Sequence, residues 1–146
     1  FGELHASACK SELFAWRATP KGRLAEVIVL DQFSRNLHRG SALAFANDAM
    51  ALSLAQEAVA AGADAALSQS ERMFLYMPYM HSESRAIHVE AQQLFRANGE
   101  GGGIDSELRH KAIIDRFGRY PHRNAALGRE STVEELAFLQ QPGSRF

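Results

Sequence analysis

The chain has little that would cross-link it, break it or give it a net charge. Among its 146 residues there is one cysteine, Cys9, which excludes an internal disulfide framework and any cysteine-built zinc site. A single thiol suits a reducing compartment, and a cytoplasmic location is the expectation. Only four prolines are present, so long stretches are free to be helical. With 16 basic against 17 acidic residues the formal net charge is −1, which gives no overall pull toward nucleic acid or a membrane surface. No apolar run approaches the roughly 18 residues of a bilayer span, and no signal peptide is visible, so no membrane partner is expected. An initiator methionine is missing too, and Phe1 is read as starting partway into a longer natural chain. Val, Ile and Thr are sparse beside Ala and Leu. No segment alternates apolar and polar residues with a period of two, which speaks against sheet.

What is present is helical patterning. A hydrophobic fraction of 46% with almost no net charge argues against disorder, and the length fits one domain, residues 1–146. A first segment spans about 1–16. Thr19-Pro20 reads as an N-cap followed by proline at the first helical position. The apolar stripe Leu24, Val27, Ile28 follows, and Arg39-Gly40 ends that helix. An Ala-rich helix over about 48–61 stops at Gly62. Ser68-Gln69-Ser70-Glu71 has the capping-box pattern and opens a helix with Met73, Tyr76, Met77 and Met80 on one face, which Pro78 should kink or end. A further helix is expected from near Ser82, with Ile87, Ala91, Leu94 and Phe95 as its apolar face. The Gly-rich run 99–103 reads as a flexible loop. A helix over about 105–117 closes at Gly118, and Ser131-Thr132-Val133-Glu134 reads as a second capping box. About seven helices with short connections imply antiparallel neighbours.

Three stretches carry polar information. Continuing the stripe from Leu24, Val27 and Ile28 lands on Asp31, then on Gln32 and Arg35. A core-facing carboxylate must be paired, and Arg35 stands at the i, i+4 spacing. The pair is either a structural lock between helices, with Asp31 and Gln32 as structural polar groups, or the wall of a polar pocket. The second stretch, 76–83, runs an aromatic and Met-rich face into His81 and Glu83. It is either core followed by a helix cap, or an apolar floor with an acid–base or metal pair at its rim. The third stretch, 116–124, belongs to a region from Arg109 to Arg129 with six Lys or Arg against one acid, Asp115. Arginines in a last helical turn suit the helix dipole. His122 and Arg123 lie beyond it, in a Pro-containing loop, where guanidinium groups could hold a carboxylate or phosphate. His110 continues the apolar set Ile113, Ile114 and Phe117 and reads as a satisfied core histidine. No P-loop, nucleophile elbow or compact zinc motif is present, so neither metal nor cofactor is expected, and no basic–aromatic module points to nucleic acid.

Together these stretches resemble a bacterial family, domain of unknown function 924. The residues that carry the likeness are Leu30-Asp31-Gln32-Phe33-Ser34-Arg35-Asn36, the run from Phe74 to Glu83, Arg116-Phe117-Gly118-Arg119-Tyr120-Pro121-His122-Arg123-Asn124, and the block from Leu127 to Thr132 with Glu134-Glu135. The resemblance implies an all-α fold of stacked antiparallel helical hairpins, similar to tetratricopeptide-repeat proteins, with a groove, and it implies no activity. Two departures stand out. Family members carry an aromatic-rich segment ahead of the position of Phe1, and Ser34 stands where proline is common. The functional expectation is a groove that binds a small anionic ligand or an acidic peptide end. Arg35, Arg119 and Arg123 would hold the anion, Asn36 and Asn124 would orient it, Tyr76 would form the apolar wall, and Asp31 and Glu83 would position the arginines. The alternatives are a hydrolase with His81 or His122 as general acid–base, oriented by Glu83 or Asp31, and a plain protein-interaction scaffold.

Overall fold

The computed structural model describes residues 1–146 and is helical throughout, with no strand. Helix α1 (Gly2–Cys9) ends earlier than the 1–16 reading, because the chain reverses through Ser11, which holds a positive φ of 60°. A 3-10 turn, Phe14–Ala18, leads to α2 (Pro20–Ile28). The Thr19 hydroxyl accepts the Gly22 N–H, with Pro20 in the first turn as expected. Gly22 is required on steric grounds: a Cβ there would stand 1.9 Å from the Trp16 carbonyl oxygen.

At the end of α2 the helix widens into a π turn, Val29–Phe33, and then tightens into α3 (Ser34–Leu37). Such a turn frees carbonyls from the regular ladder. Two of them are met by side chains: Ser34 Oγ donates to Leu30 O at 2.5 Å, and Arg35 Nη1 donates to Asp31 O at 3.0 Å. The simple helical stepping that led to Asp31 did not anticipate this extra residue. Asp31 is nevertheless buried, at 1% exposure.

Helix α4 (Asp48–Ala60) follows, then α5 (Gln69–Met80), α6 (Arg85–Ala97) and α7 (Ile104–Phe117), with α8 (Asn124–Leu127) and α9 (Val133–Leu139) closing the chain. The Ser68/Glu71 capping box forms with both reciprocal bonds. Pro78 lies inside α5, which continues only to Met80. Helix α6 starts later than Ser82: Ser84 is its N-cap, which leaves residues 82–84 as a tight junction. The final capping box is shifted by one residue, with Thr132 and Glu135 as its members in place of Ser131 and Glu134. The loop at 99–103 is tied down rather than loose. Asn98 Nδ2 donates to Gln69 O and Gly102 O, while Gln69 Nε2 donates to Asn98 O and Glu100 O. Gly103 holds φ at 105° against the Phe95 ring, a place no side chain could take.

The main core joins Leu24 and Val27 of α2, Ala55 and Ala58 of α4, Leu75, Tyr76, Tyr79 and Met80 of α5, and Ala91 and Phe95 of α6. A second cluster holds Ala8, Val29, Leu30 and Ala51, and a third Ile113, Ile114 and Tyr120. Ala51, Ala55 and Ala58 are all fully buried, so α4 approaches its neighbours through methyl groups alone, and a larger side chain would have to force them apart. Ala55→Leu is therefore expected to lower stability by about 1–3 kcal/mol, read as a shift of the urea midpoint with the helical circular dichroism signal retained.

Candidate functional site

The polar centre is built from the two ends of the π turn outward. Asp31 Oδ1 accepts from Arg35 Nη1 at 3.1 Å and from His81 Nδ1 at 2.7 Å, and Oδ2 accepts from Gln32 Nε2 at 2.5 Å. Burial alone would raise the Asp31 carboxyl, but His81 and Arg35 outweigh it and hold the group below the usual carboxylate range. Arg35 also reaches Asp48, in the first turn of α4, through both terminal nitrogens at 2.8 and 3.0 Å. That carboxylate sits where the helix dipole favours negative charge. Asp48 is shared with Arg123, whose Nη1 lies 3.4 Å away.

Arg123 arrives from the 3-10 turn Pro121–Arg123. Its Nη2 donates to His81 O at 2.7 Å, and its guanidinium lies between the rings of Phe45 and Tyr120, at 4.5 and 4.7 Å from their centroids. The buried Nε of Arg123 has no partner. Glu83 closes the circuit: Oε1 pairs with Arg129 at 3.0 Å and with Arg123 at 3.6 Å, and Oε2 accepts the Tyr120 N–H at 2.8 Å.

Behind this lies a buried network that fixes the α5–α6 junction. The Tyr120 hydroxyl donates to Met80 O at 2.5 Å, and His88 Nε2 donates to Ser82 O at 2.7 Å. His88 Nδ1 faces Glu107 Oε1 at 2.6 Å, with both side chains fully enclosed. Burial raises the Glu107 carboxyl, against the opposing pull of His88. The junction's carbonyls are thus held from below, and His81 between them is held in turn.

These elements enclose a cleft of about 500 Å³. Its polar lining is Arg35, Asn36, Arg39, His81, His122 and Arg123, and its aromatic lining is Phe45, Tyr120, His110 and Phe146. No Asp or Glu side chain lines it: Asp31 is enclosed behind Arg35, and Asp48 and Glu83 pair with the arginines from outside the lining. Arg39 is exposed and makes no ion pair. His81 gives Nδ1 to Asp31 and keeps an Nε2 with no hydrogen bond. Burial pushes His110 and His122 down to about 4. His110 Nδ1 faces Ser106 O at 2.7 Å, whereas His122 Nδ1 is buried without a partner. No group of three or more His, Cys, Asp or Glu side chains is gathered to hold a metal ion.

Of the residues singled out from the sequence, Arg35, Asn36, His81, His122 and Arg123 meet at this cleft. Tyr76 does not. Its ring packs edge-on against Phe95 in the main core, and its hydroxyl donates to Asp64 at 2.6 Å. Arg119 is also elsewhere, because Glu135 takes it through two bonds of 2.7 and 2.9 Å and Glu130 O takes a third. In that pair Glu135 is held down to about 2 by Arg119. Asn124 is buried and fully used: Nδ2 donates to Ser131 and Glu135, and Oδ1 accepts from Arg129. Glu83 and Gln32 serve as partners inside the network rather than as cleft lining.

Sequence reading missed Asp48 and Phe45 as parts of the site and His110 as a lining group, and gave no role to Arg39 at the end of the first polar stretch. Asp48 carried one usable signal, an acid in a first helical turn. It also missed the bidentate pair of Arg17 with buried Glu26, at 2.7 Å for both bonds.

The full pattern of a buried Asp–His–Arg centre under an arginine-lined cleft in an all-helical chain can now be set beside known proteins. The model of the bacterial proteins of unknown function DUF924 matches residues 1–143, and the chain belongs to that family. It is also similar to the solved structure of a protein of unknown function from Agrobacterium tumefaciens. The two are 38% identical with a TM-score of 0.91, over 96% of this chain and 79% of that one. No curated protein matches the chain. No helix is long and apolar enough to cross a membrane.

Two measurements check the centre. Asp31→Ala would leave Arg35 and His81 around an empty place in a buried setting, and a loss of about 3–5 kcal/mol is expected in urea titration. The second concerns pH. His110 and His122 titrate near 4 in the fold against an ordinary value of 6.5, so between those values the unfolded chain binds protons that the fold excludes. Stability should therefore be level above about pH 6.5 and fall as pH drops toward 4. The slope in that window should flatten in the His110→Gln, His122→Gln double variant, as read from the urea midpoint against pH.

Proposed function

We propose that the cleft binds a small anionic ligand carrying a phosphate or carboxylate group, in a protein of the cytoplasm. The observation that supports this is the segregation of charge. Arg35, Arg39 and Arg123 face one cleft with no Asp or Glu side chain in its lining. Arg35 and Arg123 have their orientation fixed by Asp31, Asp48 and Glu83, and fixed donors bind an anion without the entropy loss of ordering them. Arg39 supplies the unpaired charge, and Asn36 beside it supplies a neutral donor and acceptor. An acidic peptide end would use the same arginines.

A second reading has its own observation. The Asp31 carboxylate accepts from His81 Nδ1, so that nitrogen carries a proton, and Nε2 presents a lone pair whenever the ring is neutral. A histidine oriented in this way can take a proton from a water or hydroxyl, and the arginines would stabilise charge that develops on an ester or phosphoester.

Thermal unfolding with inorganic phosphate, sulfate and citrate separates the readings. At a ligand concentration about 100-fold above Kd, a rise of about 5–10 °C in Tm is expected, and it should be lost in Arg39→Gln, whose fold keeps the whole buried network. Absence of any shift in the wild type overturns the binding reading. Turnover of p-nitrophenyl phosphate or acetate that vanishes in His81→Gln, while the anion shift persists, would establish the hydrolase.

A further inference from the structure

The cleft that gathers the arginines also gathers a ring. The phenyl group of Phe146 lies face to face with the His110 imidazole, with centroids 3.7 Å apart and planes 17° from parallel. It stands edge-on to Tyr120 at 6.3 Å and 81°, and to His122 at 5.8 Å and 78°. Three rings therefore form a box around a fourth in the stacked and T-shaped arrangements that aromatic quadrupoles favour. The box borders the anion-facing groups. Arg123 covers the Tyr120 ring at 4.7 Å, and the His81 and His110 centroids are 6.4 Å apart.

Phe146 is weakly held in this box. It is 56% exposed. Residues 142–146 make no backbone–backbone hydrogen bond, and the one side-chain tie in this stretch is Ser144 Oγ to Leu139 O at 3.3 Å. Beside the ring, the buried His122 Nδ1 lacks a partner, and so does the buried Nε of Arg123, whose guanidinium lies over the Tyr120 ring. A hydrocarbon ring cannot satisfy those polar atoms, whereas a ligand with a polar edge can.

We propose that the anion taken by this cleft is an aromatic one: a planar ring that enters the box of His110, Tyr120 and His122, displacing the Phe146 side chain, with its phosphate or carboxylate group among Arg35, Arg39 and Arg123. This rests on the anion-binding reading and narrows it. Phe146 is then a tethered competitor, which lowers affinity for every ring-bearing ligand while leaving ring-free anions unaffected.

Calorimetric titration of the full chain with phenyl phosphate and with inorganic phosphate tests this. Phe146→Ala should bind phenyl phosphate about 2- to 12-fold more tightly than the wild type does, the range expected for one good ring–ring contact that no longer has to be exchanged for the Phe146 one. Inorganic phosphate should bind the two proteins equally. Phe146 is more than half exposed and stands outside the buried core, and circular dichroism verifies the variant's fold. In the wild type, the His110 ring proton resonances should shift with phenyl phosphate and not with phosphate. Equal affinity for the two ligands in both proteins overturns the aromatic proposal and leaves the anion reading standing. Weaker phenyl phosphate binding in Phe146→Ala overturns the displacement. No binding of either ligand by either protein overturns both the proposal and the reading beneath it.

Discussion

The structure depends on one buried carboxylate. Asp31 sits where water does not reach, and an ion in that position must have its charge met within the protein. It is met by Arg35 from its own helix and by His81 from the end of α5. Arg35 also holds Asp48 through both terminal nitrogens, which fixes the start of α4, and Asp48 draws in Arg123 from the far end of the chain. Four segments far apart in sequence are thereby located relative to one another by alternating charges. The apolar core explains why α2, α4, α5 and α6 pack at all. The charge chain explains why they pack in the one register that brings His81 beside Arg35 and Arg123.

The same interaction sets what the cleft can present. Asp31 is enclosed behind Arg35, while Asp48 and Glu83 hold Arg35 and Arg123 from outside the lining, so the cleft is faced by arginines and by no Asp or Glu side chain. Positive groups held in place this way keep a direction that free surface arginines lack. Tyr120 has a similar double role. Its hydroxyl ties the α5–α6 junction from beneath while its ring supports Arg123 and lines the cleft.

How much of this could be read from the chain depended on distance along it. Thr19-Pro20 and Ser68-Gln69-Ser70-Glu71 were legible because a cap involves residues two or three apart. The burial of Asp31 was legible because a stripe of one helix carried it, and its pairing with Arg35 because four residues make one turn. Arg119 was misassigned because its partner Glu135 lies sixteen residues on, beyond any local pattern. Tyr76 was misassigned because a tyrosine on an apolar face looks the same whether its hydroxyl meets a ligand or, as here, Asp64. His88 seemed to have no distinctive neighbours, yet it meets Glu107 nineteen positions away. Local chemistry thus identified the stretches that matter, while the division of labour among their residues was decided by contacts between helices.

The π turn at Val29–Phe33 has a consequence for how the chain can change over time. It inserts one residue into an otherwise continuous helix, and in a regular helix one residue corresponds to a rotation of about 100°. Deleting any one position there would restore an unbroken ladder and a locally better helix. It would also swing everything on one side of the deletion away from its partners, so that Arg35 no longer faced Asp48 and Asp31 no longer faced His81. Substitutions along this turn can be absorbed one at a time, but its length cannot. The chain is locked into the less regular helix because the regular one would point its charges the wrong way.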